Sequence, residues 1–138
     1  MGLWDLEYSH SVKIQEKEQA ESDKSIAQEK VERLKVTYQQ VNDAYDRVKE
    51  LQSEMKKMED TGEEWKGSKA DAYSNYISDS FNSSYTNYKN RLDEIQDSIN
   101  DELTKQENKV LSLEGDILGL RQAINSLWNK IQNWANDI

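Results

Sequence analysis

Apolar residues recur along the chain at steps of three or four residues, in two long runs. Such spacing follows one face of a helix, whereas a strand would alternate apolar and polar residues. The first run comprises Val31, Leu34, Tyr38, Val41, Tyr45, Val48, Leu51, Met55 and Met58. The second comprises Leu103, Gln106, Val110, Leu113, Ile117, Leu120, Ile124, Leu127, Ile131, Trp134 and Ile138, and Leu92, Ile95 and Ile99 extend it backward. The pattern predicts an all-α protein.

The break between the two runs is the segment 59–67, which holds two glycines and a tryptophan. Gly62 suits the left-handed conformation that ends a helix. Ser68 followed by Asp71 forms a capping-box pattern, which marks the start of the next helix. A short connection makes two helices antiparallel neighbours.

These signals predict one domain, 1–138, folded as an elongated antiparallel helical hairpin. Helix 1 is expected over about 5–60, a Trp-x-Gly turn over about 61–67, and helix 2 over about 68–136. The steps of three and four make the two helices coiled-coil-like.

The two arms of this hairpin are poorly matched in polarity. If the bend of the hairpin is centred on residue 64, residue i of helix 1 lies beside residue 128 minus i of helix 2. The C-terminal half of helix 2 then faces residues 3–27. The seam positions there are Leu3, Leu6, His10, Lys13, Lys17, Ala20, Lys24 and Ala27. The facing half of helix 2 carries the most regular heptads and a second apolar strip, formed by Leu111, Leu118 and Trp128. A helix with so wide an apolar face needs more than one neighbour.

This mismatch predicts a partner-binding face on helix 2, because large uncovered apolar patches mark interaction surfaces. Its predicted members are Leu111, Leu118, Trp128, Ile131 and Trp134. The alternative is that the lysine stems extend across the seam and the hairpin stands alone.

Two further features of helix 2 have alternative interpretations. Tyr73, Ile77, Phe81, Tyr85 and Tyr88 share one helical face. We expect them to form an aromatic core stripe against the Val31–Met58 run, and a ligand-binding aromatic patch is the alternative. The pair Gly115 and Gly119 indicates close helix packing or a weak point, with a true break of helix 2 as the other possibility.

Composition and charge exclude several classes of function. The 138 residues carry a formal net charge of -9, which argues against nucleic-acid and anionic membrane partners. There is no cysteine, and His10 is the one histidine, so we expect no enzyme, no metal site and no cofactor. No apolar stretch is long enough to insert stably in a membrane. The start of the chain lacks a classical signal peptide, which predicts a cytoplasmic protein that leaves the cell, if it does, by another route.

The tripeptide Trp65-Lys66-Gly67, set between two long helices in a small acidic chain, resembles the WXG family of type VII secretion. The chain is most similar to the small helical partners encoded beside LXG polymorphic toxins. The resemblance implies that Trp65 and Gly67 form a secretion-recognition turn. It also implies, as partners, the helical N-terminal LXG domain of a toxin, a second small helical protein and the secretion machinery.

The function that follows is a non-enzymatic adaptor that targets a toxin for export. None of the seven tyrosines is followed four residues later by Asp or Glu, the signal carried by many substrates of this pathway, so a partner would supply it. The alternatives are a coiled-coil scaffold that forms homo-oligomers and, less well supported, a helical membrane-acting toxin. The sequence leaves open the identity of the toxin, the stoichiometry, a homodimer in isolation and whether this chain is itself exported.

Overall fold

The computed structural model describes residues 2–61 and 68–137, apart from the side chains of residues 58–61, 68–74, 77 and 78. Helix α1 spans Leu3–Thr61 and helix α2 spans Ser68–Asn136, with no strand in the described ranges. The antiparallel helical hairpin is therefore confirmed, and α1 begins two residues earlier than expected. The predicted turn, with Trp65 and Gly67, lies outside the described residues.

Both helices are long because nothing in their sequence ends them. The chain has no proline, the residue that most strongly interrupts a helix. At the start of α1, the Gly2 N–H donates a hydrogen bond to Oδ2 of Asp5 (3.3 Å), and the Leu6 N–H donates to the Gly2 carbonyl (3.2 Å). A carboxylate in the first turn satisfies an end group of the helix and complements its dipole.

The helices pack in two compact units. Unit 1 consists of Met1–Arg33 and Leu103–Ile138, and unit 2 consists of Leu34–Glu102. The buried side chains of unit 1 are Leu6, Ala20, Ala27, Val31, Gln106 and Ile117, and those of unit 2 are Val48, Leu92 and Ile99. All of them belong to the runs of three- and four-residue steps, so the buried seam is the one that the sequence predicts.

The predicted register between the helices is wrong. In unit 1, His10 contacts Trp128 and Lys24 contacts Glu114. In unit 2, Gln96 donates a hydrogen bond to Asn42. The residue numbers in each pair add to 138 rather than 128, because side-chain packing sets the register and not the midpoint of the connection.

The described part of the aromatic stripe of α2 does not form the predicted core. Phe81 and Tyr88 are exposed, and Tyr85 is half-buried and stacks on Phe81 with ring centroids 6.3 Å apart. The side chains of Tyr73 and Ile77 lie outside the described residues.

Candidate partner-binding surface

Residues 3–27 of α1, which carry the lysines at seam positions, cover the main seam of unit 1. Its lysines reach outward to glutamates: Lys13 to Glu16 (3.2 Å), Lys17 to Glu21 (3.6 Å) and Lys24 to Glu114 (3.5 Å). The three lysines are half-buried, as expected where an ammonium group stays near water and its stem covers apolar surface. Ile117 is consequently only 5% exposed. The half-burial of these lysines is what the alternative interpretation expects of their stems.

Lys24 provides a test of this stem packing. We expect Lys24→Met to change the free energy of unfolding by less than about 0.5 kcal/mol, because partly exposed ion pairs contribute little. Lys24→Ala removes the stem and is expected to destabilise the chain by about 1 kcal/mol. Urea unfolding followed by circular dichroism measures both. An equal loss in the two variants would show that the ion pair, not the stem, stabilises this layer.

Beside the covered seam, α2 carries an apolar strip that no residue of the described chain covers. Leu111 is 65% exposed and Leu118 is 57% exposed. They are seven residues apart, which places them on one face two turns apart. Both belong to the predicted partner-binding face, and their role in binding stays a prediction.

Heptad positions assign these residues to one side of the helix pair. With Val31 and Val110 at position a, and Leu34 and Leu113 at position d, Leu111 and Leu118 occupy position b. In an antiparallel pair, positions a, e and b of both helices line the same side. We name this side of unit 1 the Leu111 face; its exposed apolar members are Trp4, Ile14, Leu111, Leu118 and Trp128.

A groove of about 300 Å³ lies between the helices on the Leu111 face. Its lining residues, all at positions a, e or b, are Gln28, Val31, Glu32, Glu107, Val110 and Leu111. Its apolar floor continues the strip of exposed leucines across to α1, so the face presents both a ridge and a groove, the two elements of helix–helix packing.

The remaining predicted residues lie near the C-terminal end of α2. Trp128 is exposed and its ring lies 5.7 Å from that of His10, with a tilt of 35°. Trp134 is exposed, while Ile131 is half-buried in the seam. Trp128 thus joins Leu111 and Leu118 on the Leu111 face, whereas Ile131 and Trp134 occupy seam positions.

Trp4 is a member of this face that the sequence pattern did not reveal. It is the most exposed large apolar residue described, at 73%, and it stacks on Tyr8 with centroids 5.7 Å apart. The predicted seam of α1 runs through Leu3 and Leu6, and Trp4 lies beside that seam rather than on it. The four-residue spacing of two aromatic residues in the first turns was the available signal.

The opposite side of unit 1 contains Gly115 and Gly119. Helix α2 runs through both without a break. A Cβ built on either glycine would meet nothing within 4 Å, so the predicted close packing against these glycines is not found in the described chain. They lie beside a groove of about 700 Å³, and we name this side the Gly119 face.

Replacing both glycines by alanine is therefore expected to stabilise the free protein. Glycine inside a helix costs roughly 1 kcal/mol relative to alanine, and open space leaves room for the added methyl groups. We expect Gly115→Ala with Gly119→Ala to raise the free energy of unfolding by about 1–2 kcal/mol. Thermal and urea unfolding measure the change. A decrease would mean that one methyl group meets a neighbour in the folded protein.

The described residues offer neither a membrane span nor a metal site. No helix there is both long and apolar enough to cross a membrane. No group of His, Cys, Asp and Glu side chains in the same part of the chain is arranged to hold a metal ion.

Fold and surface together define a small helical-hairpin protein with an exposed apolar face beside its own covered seam. The chain belongs to the YwqH-like family, whose model matches residues 10–129. Proteins of this family are small helical proteins that occur in the context of LXG toxins. Among curated proteins nothing matches this chain, and no solved structure matches it either.

Proposed function

We propose that this protein is a non-enzymatic adaptor of type VII secretion that binds the helical N-terminal LXG domain of a toxin and targets it for export. The observation that carries the proposal is the exposure of Leu111 and Leu118 on a helix whose main seam is already covered by α1. Membership of the YwqH-like family supports the toxin context. The net charge of -9 favours a protein partner over nucleic acid.

In this proposal the Leu111 face receives helices of the toxin domain, which complete a larger helical bundle. A second small helical protein joins the assembly on another surface, and the secretion machinery is the final partner. The protein is cytoplasmic when it meets the toxin, and the export signal comes from a partner chain.

Coexpression with the LXG domain of the toxin encoded nearest to this gene tests the proposal. We expect the two chains to copurify as a complex of defined mass by size exclusion with light scattering. A monomeric chain that does not bind the LXG domain would contradict the proposal. A stable homo-oligomer that does not bind the LXG domain would favour the coiled-coil scaffold instead.

Trp65 and Gly67 provide a separate prediction about export. We expect Trp65→Ala with Gly67→Ala to preserve helix content and binding of the LXG domain, because the long seams hold the hairpin. Delivery of the toxin to the medium should fall, because the resemblance assigns the turn to secretion recognition. Circular dichroism, copurification and immunoblots of the medium measure the three effects. Normal delivery by the folded double variant would remove the assigned role of this turn.

A further inference from the structure

The Leu111 face is acidic as well as apolar. Its heptad positions carry the carboxylates Glu7, Glu18, Glu21, Glu32, Glu107 and Glu114, and the cations Lys17, Lys24 and Arg121. Two of the cations are already paired with carboxylates of this face, Lys17 with Glu21 and Lys24 with Glu114. With six carboxylates and three cations the face is acidic, and on α2 Glu107 and Glu114 flank Leu111.

The apolar residues of the face have the dimensions of one docked helix. Leu118 lies two turns from Leu111, and Trp128 lies ten residues further, so the strip is roughly 25 Å long at 1.5 Å per residue. The groove floored by Val31 and Val110 runs beside Leu111. A helix of about 17 residues with one apolar stripe would cover this strip.

The charge of the Leu111 face determines which kind of helix can bind there. A second copy of this chain would set carboxylates of one Leu111 face against those of the other, and like charges brought together oppose association. A helix whose apolar stripe is flanked by cationic residues would meet the carboxylates on both sides. The face thus matches a basic amphipathic helix and disfavours self-association.

We propose that the Leu111 face binds one amphipathic helix whose apolar stripe is flanked by lysine or arginine, and that this charge pattern selects the partner. The inference rests on the proposed function, since it assigns a chemistry to the toxin segment that occupies the same surface. The inference goes beyond the proposed function because it states which charges flank the apolar stripe of that segment.

The test uses the full-length chain and three synthetic helical peptides of about 20 residues. The first has a leucine stripe flanked by lysines, the second the same stripe flanked by glutamates, and the third the composition of the first in scrambled order. Calorimetry at low salt is expected to show at least about tenfold tighter binding of the first peptide than of the others. The preference should shrink at high salt, because ions screen exposed charges.

Charge-reversed variants assign the preference to this face. Glu18→Lys with Glu107→Lys should remove the preference for the lysine-flanked peptide. Asp23→Lys with Asp116→Lys, on the Gly119 face, changes the net charge equally and should retain it. Equal loss in both variants, or equal affinity of the unmodified chain for the lysine- and glutamate-flanked peptides, would overturn the inference.

The same variants separate this inference from the proposed function. If the LXG domain binds the unmodified chain and the Glu18→Lys, Glu107→Lys variant equally well, the adaptor function stands and the charge selection is wrong. If the peptides show the preference but no LXG domain binds, the partner chemistry stands and the toxin assignment is wrong.

Discussion

Replacing Leu111 and Leu118 by serine is expected to weaken binding of the LXG domain by about 100-fold, while the free chain keeps its helix content. Fully burying a leucine side chain contributes about 1.5–3 kcal/mol, and a partner can bury only the part still exposed, so the two losses together remove about 2–4 kcal/mol. The free chain loses little, because 65% and 57% of these side chains is already in water. Calorimetry measures the affinity, and thermal unfolding of the free chain measures its stability.

Ile26→Ser with Val36→Ser is the matched control for this pair. Both residues are exposed β-branched apolar residues of α1 that lie off the Leu111 face. We expect the control to bind the LXG domain normally. Trp128→Ala is a useful third variant, although its ring contacts His10, so some loss of stability should accompany its loss of affinity. Unchanged affinity of the serine variant with a large fall in melting temperature would place the leucines in the hairpin's own core.

Ile117→Ala is expected to destabilise the chain by about 2–4 kcal/mol, whereas Leu118→Ala, at the next residue, should cost less than about 0.5 kcal/mol. Ile117 is 5% exposed, so its truncation leaves a cavity between α1 and α2. Leu118 faces water, so its truncation leaves none. Urea unfolding of the two variants measures the difference directly.

The loss of affinity for the LXG domain should follow the opposite order in these two variants. Under conditions where both are folded, Leu118→Ala should weaken the complex more than Ile117→Ala does. The pair thus separates the seam that holds the hairpin from the strip that meets a partner. If both variants lost similar stability, residues 117 and 118 would share one environment, and the distinction between seam and face would fail.

The helices and their buried seam were predictable from the sequence, because both rest on local spacing. Steps of three and four fix which face of each helix is apolar, and the absence of proline lets each run continue. Val48, Leu92 and Ile99 are accordingly buried where the pattern placed them. Both features follow from the sequence of each helix taken separately.

The register was not predictable from the same spacing. Steps of three and four recur along both helices, so several alignments bring seam against seam, and only the fit of particular side chains chooses among them. The observed alignment places Lys24 within reach of Glu114 and His10 beside Trp128. The midpoint of the connection carries none of this information.

The candidate surface was predicted in part for a related reason. Leu111 and Leu118 were identifiable because leucine beside a complete seam is unusual on a single hairpin. Trp4 was missed because membership of the face depends on the position of α1 relative to α2, which only the packed hairpin defines. A pattern read along one helix reveals its own second strip but not which residues of its neighbour extend that strip.

The open space at Gly119 makes this helix suited to site-specific labelling. The chain has no cysteine, so Gly119→Cys would introduce a single thiol, and its Cβ would meet no neighbour within 4 Å. The emission of a fluorophore attached there would change when a molecule binds to the Gly119 face. Of the four tryptophans, Trp4 and Trp128 lie on the Leu111 face, so in a variant with Trp65→Phe and Trp134→Phe the intrinsic emission responds to burial of that face. One labelled sample could therefore show, from two optical signals, which side of the hairpin a partner occupies first.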